Sequence, residues 1–193
     1  MIFRKIIPSA LIVLVLQPSV SFGWGQIGHI AIWDLAQTML SAKTKAHVDQ
    51  IFKSLSPKDL AKVAVFPDEV RRSREWNHTA SYHFADIPKD TNYLDFLHDR
   101  IVHTNMKHLS LSHSAGDVVL AILRAEDILR NPSSPIKSAN GAVEDQLNAL
   151  RFLIHFIGDV HQPLHVAYPG DKGGNEVTGL FYIMNAPFGS RKR

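Results

Sequence analysis

Residues 142–165 read AVEDQLNALRFLIHFIGDVHQPLH. Val143, Leu147, Leu150, Leu153, Ile154 and Ile157 recur at the spacing of a core-facing helical stripe, which predicts the longest helix over 142–159. Gln162-Pro163 ends it, because proline disfavours helical backbone in the residue before it. Within the apolar run, His155 and Asp159 stand four residues apart on one face, where both side chains can share a cation. A hydrogen-bonded pair without metal has the same spacing, but the setting Phe152-Leu153-Ile154-His155-Phe156-Ile157 asks for compensation of a buried ionisable pair. His165 returns on the following segment, and His161, six residues from His155, falls on another face.

Outward from this stretch the chain keeps reading as helix. His29 to Met39 puts Ile30, Trp33, Leu35 and Met39 on a broad apolar face. Ser56 caps a helix that opens at Pro57 and runs to Val65, and Pro67 opens a second piece through Arg72. Ala115 to Leu129 is amphipathic, and 131–140 is a loop rich in Pro, Ser and Asn. Only 81–87 hints at strand alternation. No repeat or linker divides the chain, so the fold class expected is mainly α, a single helical domain.

Composition narrows the chemistry. The chain of 193 residues, 45% hydrophobic and 20% charged, suits a packed domain, and its 11 Gly and 10 Pro are ordinary counts. With no cysteine, disulfide scaffolds, thiolate metal sites and cysteine nucleophiles are excluded. The formal charge of +3 comes from the ends: Arg4 and Lys5 lie in the leader, and Arg191, Lys192 and Arg193 close the chain. The body between them is close to neutral, so bulk charge selects no partner. Eleven histidines are the feature left to follow.

Residues 1–23 have the three parts of a secretory signal: Arg4 and Lys5, the apolar run ALIVLVL over 10–16, and Ser21-Phe22-Gly23 before the cut. The apolar run is too short to span a bilayer, which takes about 20 residues, so no stable membrane anchor is expected. Cleavage after Gly23 would free the α-amino group of Trp24 and place the protein outside the cell or in a periplasm.

Two further ionisable residues sit in apolar surroundings, Asp68 in VFPDEVRR and His83 in SYHFADIP. Taken singly, Asp68 is better read as a first-turn carboxylate on a helix dipole, and His83 as a core histidine.

Taken together, the segments resemble the S1/P1 nucleases, the zinc-dependent family related to bacterial phospholipase C. The matching elements are Trp24-Gly25-x-x-Gly28-His29, Asp68-x-x-Arg71, Tyr82-His83-Phe84-x-Asp86-x-Pro88, the run from His155 through Gly158-Asp159 to Gln162-Pro163-Leu164-His165, and Gly173-Gly174-Asn175. The resemblance implies a trinuclear zinc cluster in a mainly helical fold. One zinc would be held by Asp68, His83, His155 and Asp159. A second would take the amine and carbonyl of Trp24 with His29, bridged by Asp159. The third would take His165 and a later His and Asp. Those last two are absent, because residues 177–193, VTGLFYIMNAPFGSRKR, contain no His, Asp, Glu or Cys. The organisation expected is therefore a signal peptide over 1–23, an incomplete nuclease-like domain over 24–176 that lacks the family's C-terminal part, and a divergent tail over 177–193.

The resemblance further implies hydrolysis of phosphodiesters in single-stranded DNA or RNA, or of 3′-nucleotides. Asp68 would orient the attacking water, Arg71 would contact phosphate, and Asp86 and Asn175 would stabilise the scissile region or the leaving group. Phe66, Tyr82, Phe84 and Tyr168 are candidates for stacking a base, or for core. Loss of the third zinc would weaken leaving-group stabilisation, an electrostatic contact commonly worth ~10²–10³ in rate. Two alternatives follow: a zinc phospholipase C-like enzyme, and a non-catalytic remnant that binds metal or nucleotide. Oligomeric state is not readable from the sequence.

Overall fold

The computed structural model describes residues 24–92, 94–96, 98–99, 116–132, 135–137, 141–171, 173–174 and 176–177. The expected signal peptide, Asn175 and all but the first residue of the expected tail lie outside them. All of the described residues belong to one unit, Ser21–Phe181.

The described residues include the helices α1 Gly25–Met39, α2 Ala42–Phe52, α3 Pro57–Leu60, α4 Phe66–Val70, α5 Val118–Arg130, the strands β1 Ile136–Lys137 and β2 Val143–Glu144, and α6 Gln146–Val160. Two 3-10 turns, Asn77–His83 and Pro163–Val166, complete the framework. The fold class is mainly α, as the sequence predicts. No helix among the described residues is long and apolar enough to cross a membrane.

α6 is the axis of the domain. It starts four residues later than its apolar spacing suggests, because the Asp145 side chain accepts the Asn148 backbone N–H at 2.7 Å and caps the helix there. Val143 and Glu144 are left in the hairpin, opposite Lys137 and Ile136. At the other end Gln162 is extended before Pro163, and its side chain accepts the Leu164 N–H.

α5 lies against α6 along the most extensive helix contact, capped by Asp117, whose carboxylate accepts from Val119 and Leu120 at 3.1 Å. Ala121 and Ala125 on α5 and Ala149 on α6 let the two helices close around Trp76, Tyr82, Val118, Phe152 and Phe156. A smaller cluster of Phe52, Val63 and Leu150 takes Trp33 from α1 and Ile51 from α2.

Two further expectations change. The helix opened by Ser56 and Pro57 stops at Leu60, and turns carry the chain to α4. On α1, Leu35 and Met39 are exposed, 63% and 78%, whereas Trp33 packs inward. Trp33 and Leu35, two positions apart, point about 200° apart around a helix of 3.6 residues per turn and cannot share a face.

Candidate metal centre

Helix spacing delivers the first part of the site. His155 and Asp159 project from the same face of α6, and the His155 Nε2 atom lies 3.2 Å from Asp159 Oδ2. His83, at the end of the first 3-10 turn, brings Nδ1 to 2.9 Å from the same oxygen and 3.1 Å from His155 Nε2. α1 supplies His29, whose Nε2 is 3.3 Å from Asp159 Oδ1 and whose ring stacks on His155 with centroids 3.8 Å apart. α4 supplies Asp68, with Oδ1 3.8 Å from His83 Nδ1 and 3.9 Å from His155 Nε2. His29, His83, His155 and Asp159 are buried, and Asp68 is one-fifth exposed at the mouth.

This donor set fits zinc. Two overlapping groups, His29 with Asp68 and His155, and His83 with His155 and Asp159, could each hold an ion. Ligands at about 2.0–2.2 Å on one tetrahedral zinc stand roughly 3.3–3.6 Å apart, which the distances of 2.9 to 3.9 Å bracket. The His155 Nδ1–H donates to the Ala64 carbonyl at 2.8 Å, so Nε2, the nitrogen facing the cluster, keeps its lone pair. Two imidazole nitrogens and a carboxylate oxygen this close need a positive centre between them, a proton or a metal ion. The buried His83 Nε2 and His29 Nδ1 have no hydrogen-bond partner.

Burial alone would raise the Asp159 carboxyl, but the imidazoles of His155, His29 and His83 packed around it hold it well below the usual carboxylate range. Burial drives the His83 imidazole down, against the pull of Asp159. His155 is equally buried, yet Asp159 and Asp68 hold it above the ordinary imidazole value.

The remaining site candidates lie at the edge. His165 is buried, its Nδ1–H donates to the Gly173 carbonyl, and its Nε2 points to Asp159 Oδ1 at 3.8 Å. Arg71, one turn after Asp68, holds its guanidinium 3.4 Å from that carboxylate. Asp86 stands outside both metal-capable groups. Burial pushes its carboxyl up, and Asp171 and Asp117 push it further. Trp24 donates its indole Nε1–H to the Gly158 carbonyl at 3.0 Å, one residue before Asp159. His161 is exposed. Of the aromatic candidates, Phe66 and Tyr82 pack in the core and Tyr168 is 62% exposed. Phe84 lies over Gly173, where a Cβ would come within 2.5 Å of its own.

Three orienting groups could not be found by residue chemistry. The carbonyls of Ala64 and Gly173 are main-chain atoms that any residue carries. Gly158 acts through what it lacks: a Cβ there would sit 2.7 Å from His29 Nδ1. Gly158→Ala is therefore expected to lose about 1–3 kcal/mol of stability in urea denaturation, through overpacking at the α1–α6 seam. An unchanged urea midpoint would mean that His29 is not held by this contact.

Comparison with known proteins places the chain. The family model described as S1/P1 Nuclease matches residues 24–186. Endonuclease 4 of Arabidopsis thaliana is 31% identical over 163 residues, 82% of this chain and 50% of the relative. Nuclease S1 of Aspergillus oryzae is 30% identical over 176 residues, 86% of this chain and 54% of the relative. Nuclease P1 of Penicillium citrinum is 31% identical over 162 residues, with 82% and 52% covered. The chain spans about half the length of the curated relatives it matches. A match of this extent, on a mainly helical framework that gathers three imidazoles and two carboxylates, makes the chain a member of the S1/P1 nuclease family.

Proposed function

We propose that the protein is a zinc-dependent phosphodiester hydrolase that acts on single-stranded DNA or RNA, or on 3′-nucleotides, and is exported by its N-terminal segment. The observation that carries this reading is the meeting of His29, Asp68, His83, His155 and Asp159 at one buried point. The names of its relatives, nucleases and endonucleases, support the substrate class.

The five side chains would hold two neighbouring zinc ions, with Asp159 facing both and the main chain of Trp24 adding its amine once the leader is cut. When bound, zinc supplies Lewis-acid charge beside the phosphodiester and makes water acidic enough to serve as a nucleophile near neutral pH. Asp68, at the mouth of the cluster, accepts a hydrogen bond from the incoming water and aims it. Arg71 offers a planar fork of donors to phosphate oxygens from the same helical turn. Asp86 would stabilise the scissile region or the leaving group. Asn175, assigned to the same end of the reaction, lies outside the described residues. His165 would belong to the third zinc site.

Metal uptake should fall on acidification, because imidazoles ligate only when neutral. The loss should begin above pH about 6.5, the ordinary imidazole value, since His155 holds its proton longer than usual. Zinc titrations across pH check this, and affinity that rises as the pH falls would contradict it.

The function itself is tested on the exported protein, loaded with zinc and given single-stranded DNA, duplex DNA and lecithin. The expected result is cleavage of the single strand, lost with a chelator and restored by zinc. Zinc uptake with no cleavage at high protein concentration would replace the proposal with the non-catalytic reading. Turnover of lecithin alone would replace it with a phospholipase.

A further inference from the structure

The stretch Trp24-Gly25-x-x-Gly28-His29 carries more side-chain geometry than main-chain ligation by residue 24 requires. Gly25 has φ +62, left-handed backbone that favours glycine. It lets the Trp24 side chain lie directly over Gly28, where a Cβ would come within 2.5 Å of the Trp24 Cβ. From there the indole Nε1–H crosses to α6 and donates to the Gly158 carbonyl at 3.0 Å. That carbonyl also accepts the His161 N–H at 3.2 Å, closing the last turn of α6. The Cα of Gly158 is the floor under His29 Nδ1.

His29 needs such support. Its only polar contact among the described residues is Nε2 to Asp159 at 3.3 Å, and its Nδ1 is buried with no hydrogen-bond partner. Its place comes from packing between Gly158 and the His155 ring, which holds only while α1 keeps its register on α6.

We infer that the indole of Trp24 is a positioning residue for His29: its N–H···O bond to Gly158 fixes the register of α1 on α6 that presents His29 Nε2 to Asp159. Any amino acid at position 24 offers the same amine and carbonyl. Tryptophan alone combines a large apolar body with a ring N–H that can span this distance from Gly28 to Gly158. The consequence for metal rests on the reading above that His29 is a ligand.

The test compares the full chain with Trp24→Phe, which keeps aromatic bulk and removes the donor. Histidine ring resonances are followed in the metal-free protein, and zinc binding by calorimetry. The expected result is a shifted His29 resonance with His47, on α2, unchanged. One zinc equivalent should weaken about three- to tenfold, the effect of one hydrogen bond, with the other equivalents unaltered. An unmoved His29 resonance overturns the inference, as does parallel weakening of every zinc equivalent with a lowered melting temperature, the sign of a merely structural tryptophan. A wild-type chain that takes up no zinc would sink the metal reading instead, and the His29 resonance would still decide the positioning role.

Discussion

Asp159→Asn is expected to strip zinc from the protein while leaving the helices in place. The amide keeps the volume of the carboxylate, so packing at a side chain that is 2% exposed barely changes. What goes is the carboxylate charge that faces His29, His83 and His155 at 3.3, 2.9 and 3.2 Å. Partners that merely orient ligands cost 10–100-fold in metal affinity when removed, and loss of a carboxylate shared by two ions should exceed about 100-fold. Calorimetric titration with zinc reads this, beside a far-ultraviolet circular dichroism spectrum that should match the parent. Unchanged stoichiometry and affinity would show that Asp159 is only a hydrogen-bond acceptor for the histidines.

The second large effect concerns stability. Phe152→Ala should destabilise the fold by about 3–5 kcal/mol, measured by chemical denaturation, because the ring is fully buried and its removal leaves a cavity. It is surrounded by Trp76 at 5.0 Å, Phe156 at 5.3 Å and Phe66 at 6.1 Å between ring centroids. Phe66 also opens α4, two residues before Asp68, and carries the Arg151 guanidinium over its ring, 4.2 Å from the centroid. The cavity should therefore loosen Asp68 as well, weakening zinc more than Phe52→Ala, in the separate cluster beside Val63 and Leu150. Equal zinc affinity in the two variants would uncouple the aromatic core from the site.

Legibility followed the range of the interactions. The His155–Asp159 pair was readable because four residues on a helix is a local distance, and Ser56-Pro57 because a cap is a local hydrogen bond. The start of α6 was not, since Val143 continues the apolar spacing and only the Asp145 cap decides where helix begins. α2 went unread because AKTKAHVDQIF is polar over most of its surface. It forms by its Ser41 cap, which accepts the Thr44 N–H, and by packing of Val48, Ile51 and Phe52. Asp68 and His83, structural when read alone, owe their meaning to residues 87 and 76 positions away in the chain, which only the resemblance or the folded structure could bring beside them.

The direct test of a metal centre built from these five side chains is anomalous diffraction at the zinc edge from crystals of the zinc-loaded protein. Two neighbouring peaks are expected, each about 2.0–2.2 Å from its donors, with Asp159 touching both. Peaks confined to the surface, with His29, His83 and His155 bonded only to protein groups, would contradict it.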